Sequence, residues 1–190
     1  MLNDVYDRAR DRLHPLKRLR PVASGRLEVW HAVTAGLALS LGSAVLAFTL
    51  SREFGVLVVA YFIVNRLYTE VFKHQIILDV LTLGVLFTIR VIAGSVLAHV
   101  EASYWLLICT FMLALFLGFA KRRHELALLD EEGEGHRRVL AHYSAYFLDQ
   151  MIAVVTASTA MTYILYTVSE RTFREFGTRS LVYTTPFVLY

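Results

Sequence analysis

Long apolar windows divide the chain more clearly than any other feature. Val29 to Ser51, Ala102 to Ala120 and Gln150 to Ser169 run 23, 19 and 20 residues without Asp, Glu, Lys or Arg. As helices rising 1.5 Å per residue, each is long enough to cross a hydrocarbon core of about 30 Å. Phe54 to Asn65 is a shorter run of 12, whose polar end must be tucked into protein, and Ile76 to Ala98 reads as a span interrupted by Arg90. Strict alternation of the kind a membrane β-barrel needs is nowhere sustained. The pattern predicts an all-α, polytopic transmembrane bundle of five spans, with a partial last span from Leu181.

Composition agrees with that class. Of 190 residues 56% are hydrophobic and 18% charged, and the mean hydropathy is +0.52. This is too apolar for an ordinary soluble domain or a disordered tail, and a lone Cys109 excludes a disulfide scaffold. No internal repeat is present. The expected organisation is one integral-membrane domain over residues 1–190, with an aspartate-rich and basic segment at 1–27 and the spans at 28–190. Met1 leads at once into carboxylates, and Tyr190 interrupts an apolar stretch, as expected of a piece cut from a larger bundle at both ends.

Charge gives an orientation. The segment before Glu28, the Arg66 to Gln75 turn and the Lys121 to His142 loop hold fourteen of the nineteen basic residues. By the positive-inside bias that side faces the cytoplasm of an inner, or cell, membrane. The net charge of +3 follows from this bias and calls for no nucleic acid.

The chemistry concentrates on the same side. On a helix, Asp4, Asp7 and Asp11 share one face. Three carboxylates on one stripe repel, which invites a divalent cation such as magnesium, although a solvated helix paired through Arg8 and Arg10 would explain the same spacing. Next comes His14-Pro15-Leu16-Lys17-Arg18-Leu19-Arg20-Pro21-Val22-Ala23-Ser24-Gly25, where Pro and Gly break the helix into a loop. A basic loop beside an acidic stripe suits a phosphorylated ligand, and topology alone would also place basic residues here.

These strings resemble the UbiA-type intramembrane transferases. Asn3, Asp4, Asp7 and Asp11 match the motif NDxxDxxxD; His14, Pro15, Lys17, Arg20, Pro21, Ala23, Ser24 and Gly25 match HPxKxxRPxASG. The resemblance implies a nine-helix fold around a central cavity, of which this chain would be a fragment. It also implies aspartates at the cytoplasmic mouth that bind Mg2+ and a diphosphate substrate.

The second motif departs from the family's usual acidic form. Between Asn65 and Asp79, Lys73 and His74 stand where carboxylates are expected, either to meet extra phosphate oxygens or as an anchor turn at the membrane interface. With Lys121-Arg122-Arg123-His124-Glu125-Leu126 and Tyr143, the departure resembles the branch that transfers phosphoribose from 5-phosphoribosyl-1-diphosphate to decaprenyl phosphate, for arabinan cell-wall precursors. The implied metal ligands are Asn3, Asp4, Asp7 and Asp11, and the implied catalytic residues Asp7, Asp11 and Asp79. Lys17, Arg20, Tyr68, Lys73, His74, Lys121, Arg122 and Arg123 would hold the phosphates of phosphoribosyl diphosphate or of the polyprenyl phosphate lipid. That acceptor is already an anion, so no general base is required.

Arg90 is the costliest residue, because a mid-span arginine is disfavoured by about 2.5 to 3.5 kcal/mol on insertion scales. Eleven residues of helix bring it to within about 20° of Asp79 in rotation and about 16 Å in rise, so both are expected on one cavity-facing stripe, too far apart to pair; a buried structural partner for Arg90 on a further helix is the other reading. Cys109 reads as packing, His31 and His99 as interfacial, and Asp130 to Glu134 as a solvated loop. Gly36, Gly42, Gly84 and Gly94 are expected to permit close helix packing. Two other functions compete: a prenyltransferase acting on an aromatic acceptor, which wants more acid where Lys73 and His74 stand, and a non-catalytic transport or scaffold subunit.

Overall fold

The computed structural model describes residues 2–13, 17–132, 143–178 and 180–189. Met1, His14, Pro15, Leu16, Gly133, Glu134, His142 and Tyr190, named above, lie outside the described residues, as do the side chains of Asn3, Arg10 and Asp130 to Glu132. All regular structure among the described residues is helical: α1 (Leu2–Tyr6), α2 (Arg8–Leu13), α3 (Val29–Leu50), α4 (Arg52–Glu70), α5 (Leu78–Leu97), α6 (Tyr104–Glu132), α7 (Ala145–Val168), α8 (Glu170–Phe176) and α9 (Thr185–Leu189), with 3₁₀ turns at Lys17–Leu19, Phe72–His74 and Ser180–Thr184.

Five of these helices are long and apolar enough to cross a membrane: Val29–Leu50, Arg52–His74 (with its 3₁₀ turn), Leu78–Leu97, Tyr104–Ala127 and Ala145–Val168. The second is longer than its uncharged run suggests. Ser51 ends α3 and caps α4, its hydroxyl accepting from Phe54 N at 3.4 Å, so Arg52 and Glu53 become the first helical turn rather than a loop. The fourth also outruns its apolar window. No Pro or Gly occurs between Lys121 and Glu132, a stretch of strong helix formers, so α6 continues through the basic cluster expected in a loop, and through Asp130 to Glu132.

Neighbours in sequence are neighbours in space, with α3 on α4, α4 on α5, α5 on α6 and α6 on α7. The core lies among the last three, where Val80, Leu115, Phe119, Tyr143, Leu148 and Val155 pack together. Away from it the surface is apolar. Leu39, Leu41, Val45 and Leu46 of α3 are each more than 60% exposed, a surface stable against lipid and not against water. The chain is an integral membrane protein.

Two glycines set the α5 to α6 distance. A Cβ on Gly118 would stand 2.5 Å from Val80 Cγ1, and one on Gly84 would stand 2.6 Å from the ring of Phe111. Gly84 therefore acts as expected, and Gly36 is buried. Gly42 and Gly94 do not, since a Cβ at either meets nothing within 4 Å. Gly118 was not among the glycines expected to pack closely.

Candidate active site

The basic end of the bundle gathers α1, α2, the 17–27 segment and the turn between α4 and α5. The acidic segment is not one straight helix: it breaks at Asp7, between α1 and α2, while Asp11 N still bonds Asp7 O at 2.8 Å. Asp4 and Asp11 stay together and Asp7 turns elsewhere. Arg20 Nη1 lies 3.0 Å from Asp4 Oδ1 and 3.1 Å from Asp11 Oδ2, and Lys73 Nζ lies 2.9 Å from Asp7 Oδ1. Asp11 and Lys73 are buried, so each needs its partner.

The basic loop is folded onto this segment. Arg12 Nε donates to Ala23 O at 3.0 Å, and Ser24 N and Leu27 N return to Arg20 O and Pro21 O. Gly25 closes the turn at φ +82°, where a side chain would be strained. Val22 and Ala23 are buried beneath it, which holds Arg20 over the two carboxylates.

No three acidic, His or Cys side chains among the described residues are arranged as a metal shell. One observation nevertheless suits magnesium. A single cationic nitrogen already sits about equally far from Asp4 and Asp11, so two hard oxygen donors converge on one point, and Asp7 is one helical turn from Asp11. Arg8 on the same segment has a buried Nε without a hydrogen-bond partner among the described residues.

A second cluster, formed by α5, α6 and the start of α7, is enclosed. Asp79 is fully buried, and its Oδ2 accepts from Arg122 Nε at 2.6 Å. Its Oδ1 accepts from Tyr143 Oη at 2.8 Å and from Val80 N at 2.8 Å. Tyr143 Oη also accepts from Ile77 N at 2.6 Å, and Arg122 Nη1 reaches Glu125 at 2.9 Å. Burial, with the bond to Asp79 adding to it, raises the Tyr143 phenol above its ordinary pKa.

The sequence-predicted residues thus divide. Arg20 joins Asp4 and Asp11, and Lys73 joins Asp7. Lys17 and His74 are exposed at the same end, and Tyr68 is half-buried on α4. Asp79 and Arg122, expected as catalytic and phosphate-binding, are turned onto each other instead, because α6 packs over the first turn of α5 and seals them in. Lys121 is exposed, while Arg123 Nε pairs with Asp149 on α7 at 2.8 Å. The shared stripe of Asp79 and Arg90 also resolves differently. Asp79 faces α6, whereas Arg90 is exposed, donates to the Tyr61 hydroxyl on α4 and stacks over the rings of Tyr61 and Phe87 at 5.0 and 5.2 Å.

Sequence reasoning missed one polar knot. Tyr6 Oη donates to Glu70 at 2.9 Å and accepts from Arg66, which pairs with Glu70 at 2.6 Å. An aromatic residue inside an otherwise polar acidic motif was its available signal.

Comparison with known proteins bears on this arrangement. Residues 1–168 match the UbiA prenyltransferase family. Decaprenyl-phosphate phosphoribosyltransferase of Mycolicibacterium smegmatis is 34% identical over 148 residues, 78% of this chain and 46% of that protein. The protein of that name from Mycobacterium tuberculosis is 30% identical over 166 residues, 87% of this chain and 55% of its own length. The chain thus spans about half the length of these curated relatives. The solved structure of a UbiA homolog from Archaeoglobus fulgidus bound to DMAPP and Mg2+ aligns with a TM-score of 0.76 at 18% identity, covering 99% of this chain and 68% of that one.

Proposed function

The chain belongs to the UbiA prenyltransferase family, and from that premise we propose that it transfers a 5-phosphoribosyl group from phosphoribosyl diphosphate to a polyprenyl phosphate such as decaprenyl phosphate. The new bond joins an acceptor phosphate oxygen to the anomeric carbon. The bond from that carbon to the diphosphate oxygen breaks, and diphosphate leaves. The observation that carries this reading is the seating of Lys73, from the second motif, against Asp7 of the first. A fixed cation there answers the extra 5-phosphate of a sugar diphosphate, which a prenyl diphosphate lacks. The names borne by relatives at 30 and 34% identity support the same choice.

Asp7 and Asp11, helped by Asn3 or Asp4, would hold Mg2+, whose chemistry here is to neutralise charge on the departing diphosphate. Lys17, Arg20, Lys73 and His74 bind and orient the donor's phosphates, with Lys121 and Arg123 nearer the lipid phosphate. Arg20 and Lys73 exchange carboxylate partners for phosphate ones as the donor seats. Asp79 and Arg122 brace the helices that carry these groups. The basic end faces the cytoplasm, where a soluble sugar diphosphate is available, and the acceptor's tail lies in lipid.

The test supplies the membrane-embedded protein with phosphoribosyl diphosphate and decaprenyl phosphate, and separately with a prenyl diphosphate and an aromatic acid. Diphosphate release in the first mixture alone is expected. Release only in the second would overturn the donor assignment, and release in neither would favour a non-catalytic subunit.

A further inference from the structure

Lys73 reaches Asp7 from a short turn, and the geometry of that turn is held from a distant part of the chain. The 3₁₀ turn Phe72–His74 leads into α5 through Ile77, whose φ is +68°. That region is disfavoured for a β-branched residue, whose branches crowd the backbone. A backbone placed there persists only if its surroundings hold it. Ile77 is also the N-cap of α5, with no side-chain cap of its own, and its N–H donates to Tyr143 Oη at 2.6 Å. The same hydroxyl donates to Asp79 Oδ1 at 2.8 Å, and Asp79 is locked by Arg122. The hydroxyl thus ties Ile77 to a rigid, fully buried carboxylate two residues further along α5.

We infer that Tyr143 is a positioning residue for the phosphate site: by holding Ile77 at positive φ, in the tight turn where Leu78 N meets Ile76 O at 2.8 Å, it sets the segment that carries Lys73 against Asp7. The ring itself packs independently. It belongs to the core with Val80 and Leu148 and stacks on Phe147 at a centroid distance of 5.9 Å. Tyr143→Phe therefore removes the tether and keeps the packing.

The inference rests on the proposed donor site, so binding is measured with two probes, phosphoribosyl diphosphate and inorganic diphosphate, each with Mg2+, on the membrane-reconstituted protein. Tyr143→Phe should weaken binding of both about 5- to 10-fold, raise the donor KM in step and leave the acceptor KM within about 2-fold. Two further variants separate this from simple loss of packing. In a Lys73→Ala background, Tyr143→Phe should add less than about 2-fold, because the residue it positions is gone. In the Tyr143→Phe background, Ile77→Gly should recover most of the lost affinity, because glycine accepts positive φ without a tether. Undiminished affinity in Tyr143→Phe overturns the inference. So does a loss that multiplies with Lys73→Ala or is not recovered by Ile77→Gly. If the wild type binds inorganic diphosphate but not phosphoribosyl diphosphate, the donor reading fails while the diphosphate cycle still decides the role of Tyr143.

Discussion

Arg122→Ala should be among the most damaging single substitutions in the chain, for reasons that lie in the fold and not in the chemistry. Arg122 is 1% exposed and Asp79 0%. Without the guanidinium, the carboxylate keeps only its bonds from Tyr143 Oη and Val80 N, both neutral donors, and has no access to water. Breaking a buried ion pair from one side costs about 3 to 5 kcal/mol. For a chain of this length that corresponds to a fall in Tm on the order of 6 to 20 °C. Asp79→Asn should cost less, because Arg122 retains Glu125 at 2.9 Å. Asp79→Leu combined with Arg122→Met should regain most of the loss, since two apolar side chains leave no stranded charge. The lone Cys109, half-buried on α6, is a built-in reporter: a thiol-reactive fluorophore in detergent follows its exposure on melting. The bracing account fails if Arg122→Ala melts like the wild type, or if the double variant is no more stable than Arg122→Ala.

Three other outcomes follow from the same geometry. Lys73→Ala should weaken phosphoribosyl diphosphate binding by about 1 to 3 kcal/mol with little change in acceptor affinity; equal donor affinity by equilibrium binding would remove Lys73 from the site. Gly118→Ala should lower stability by about 1 to 3 kcal/mol, because its Cβ meets the stiff Val80 side chain and α5 must part from α6; an unchanged thermal melt would show that contact to be slack. The Tyr143 phenol, raised in the folded state by burial, contributes stability that is whole below its unfolded value of about pH 10 and is lost as pH climbs toward the folded value. Wild-type Tm should therefore fall more steeply above pH 10 than that of Tyr143→Phe, and parallel declines would contradict the shift.

The spans and the acidic and basic strings were legible in the sequence because each depends on local chemistry. Apolar windows located five helices to within a few residues, except where helix-forming charged residues carried α4 and α6 past the hydrocarbon. What stayed hidden was pairing at long range. Nothing local to Asp79 distinguishes a carboxylate that meets solvent from one sealed under α6, and the decision rests with Arg122, 43 residues away. Tyr143 stood out in the sequence only through family likeness, since its role depends on a backbone N–H 66 residues earlier. Gly118 did not stand out either, because glycine in an apolar helix looks the same whether or not a neighbour presses on it.

The polar ties of α6 also bear on how the protein meets bilayers of different thickness. At 29 residues the helix is about 43 Å long, well beyond a hydrocarbon slab of about 30 Å. Arg122 fastens it to α5 through Asp79, and Arg123 fastens it to α7 through Asp149, at successive positions. Helices joined at one height cannot slide past one another to absorb a mismatch. They must tilt together, or the surrounding lipid must stretch or thin to meet them. Site-directed spin labels on α5, α6 and α7 should report one common change of tilt as acyl chains are shortened, and independent tilting would show that these ties yield.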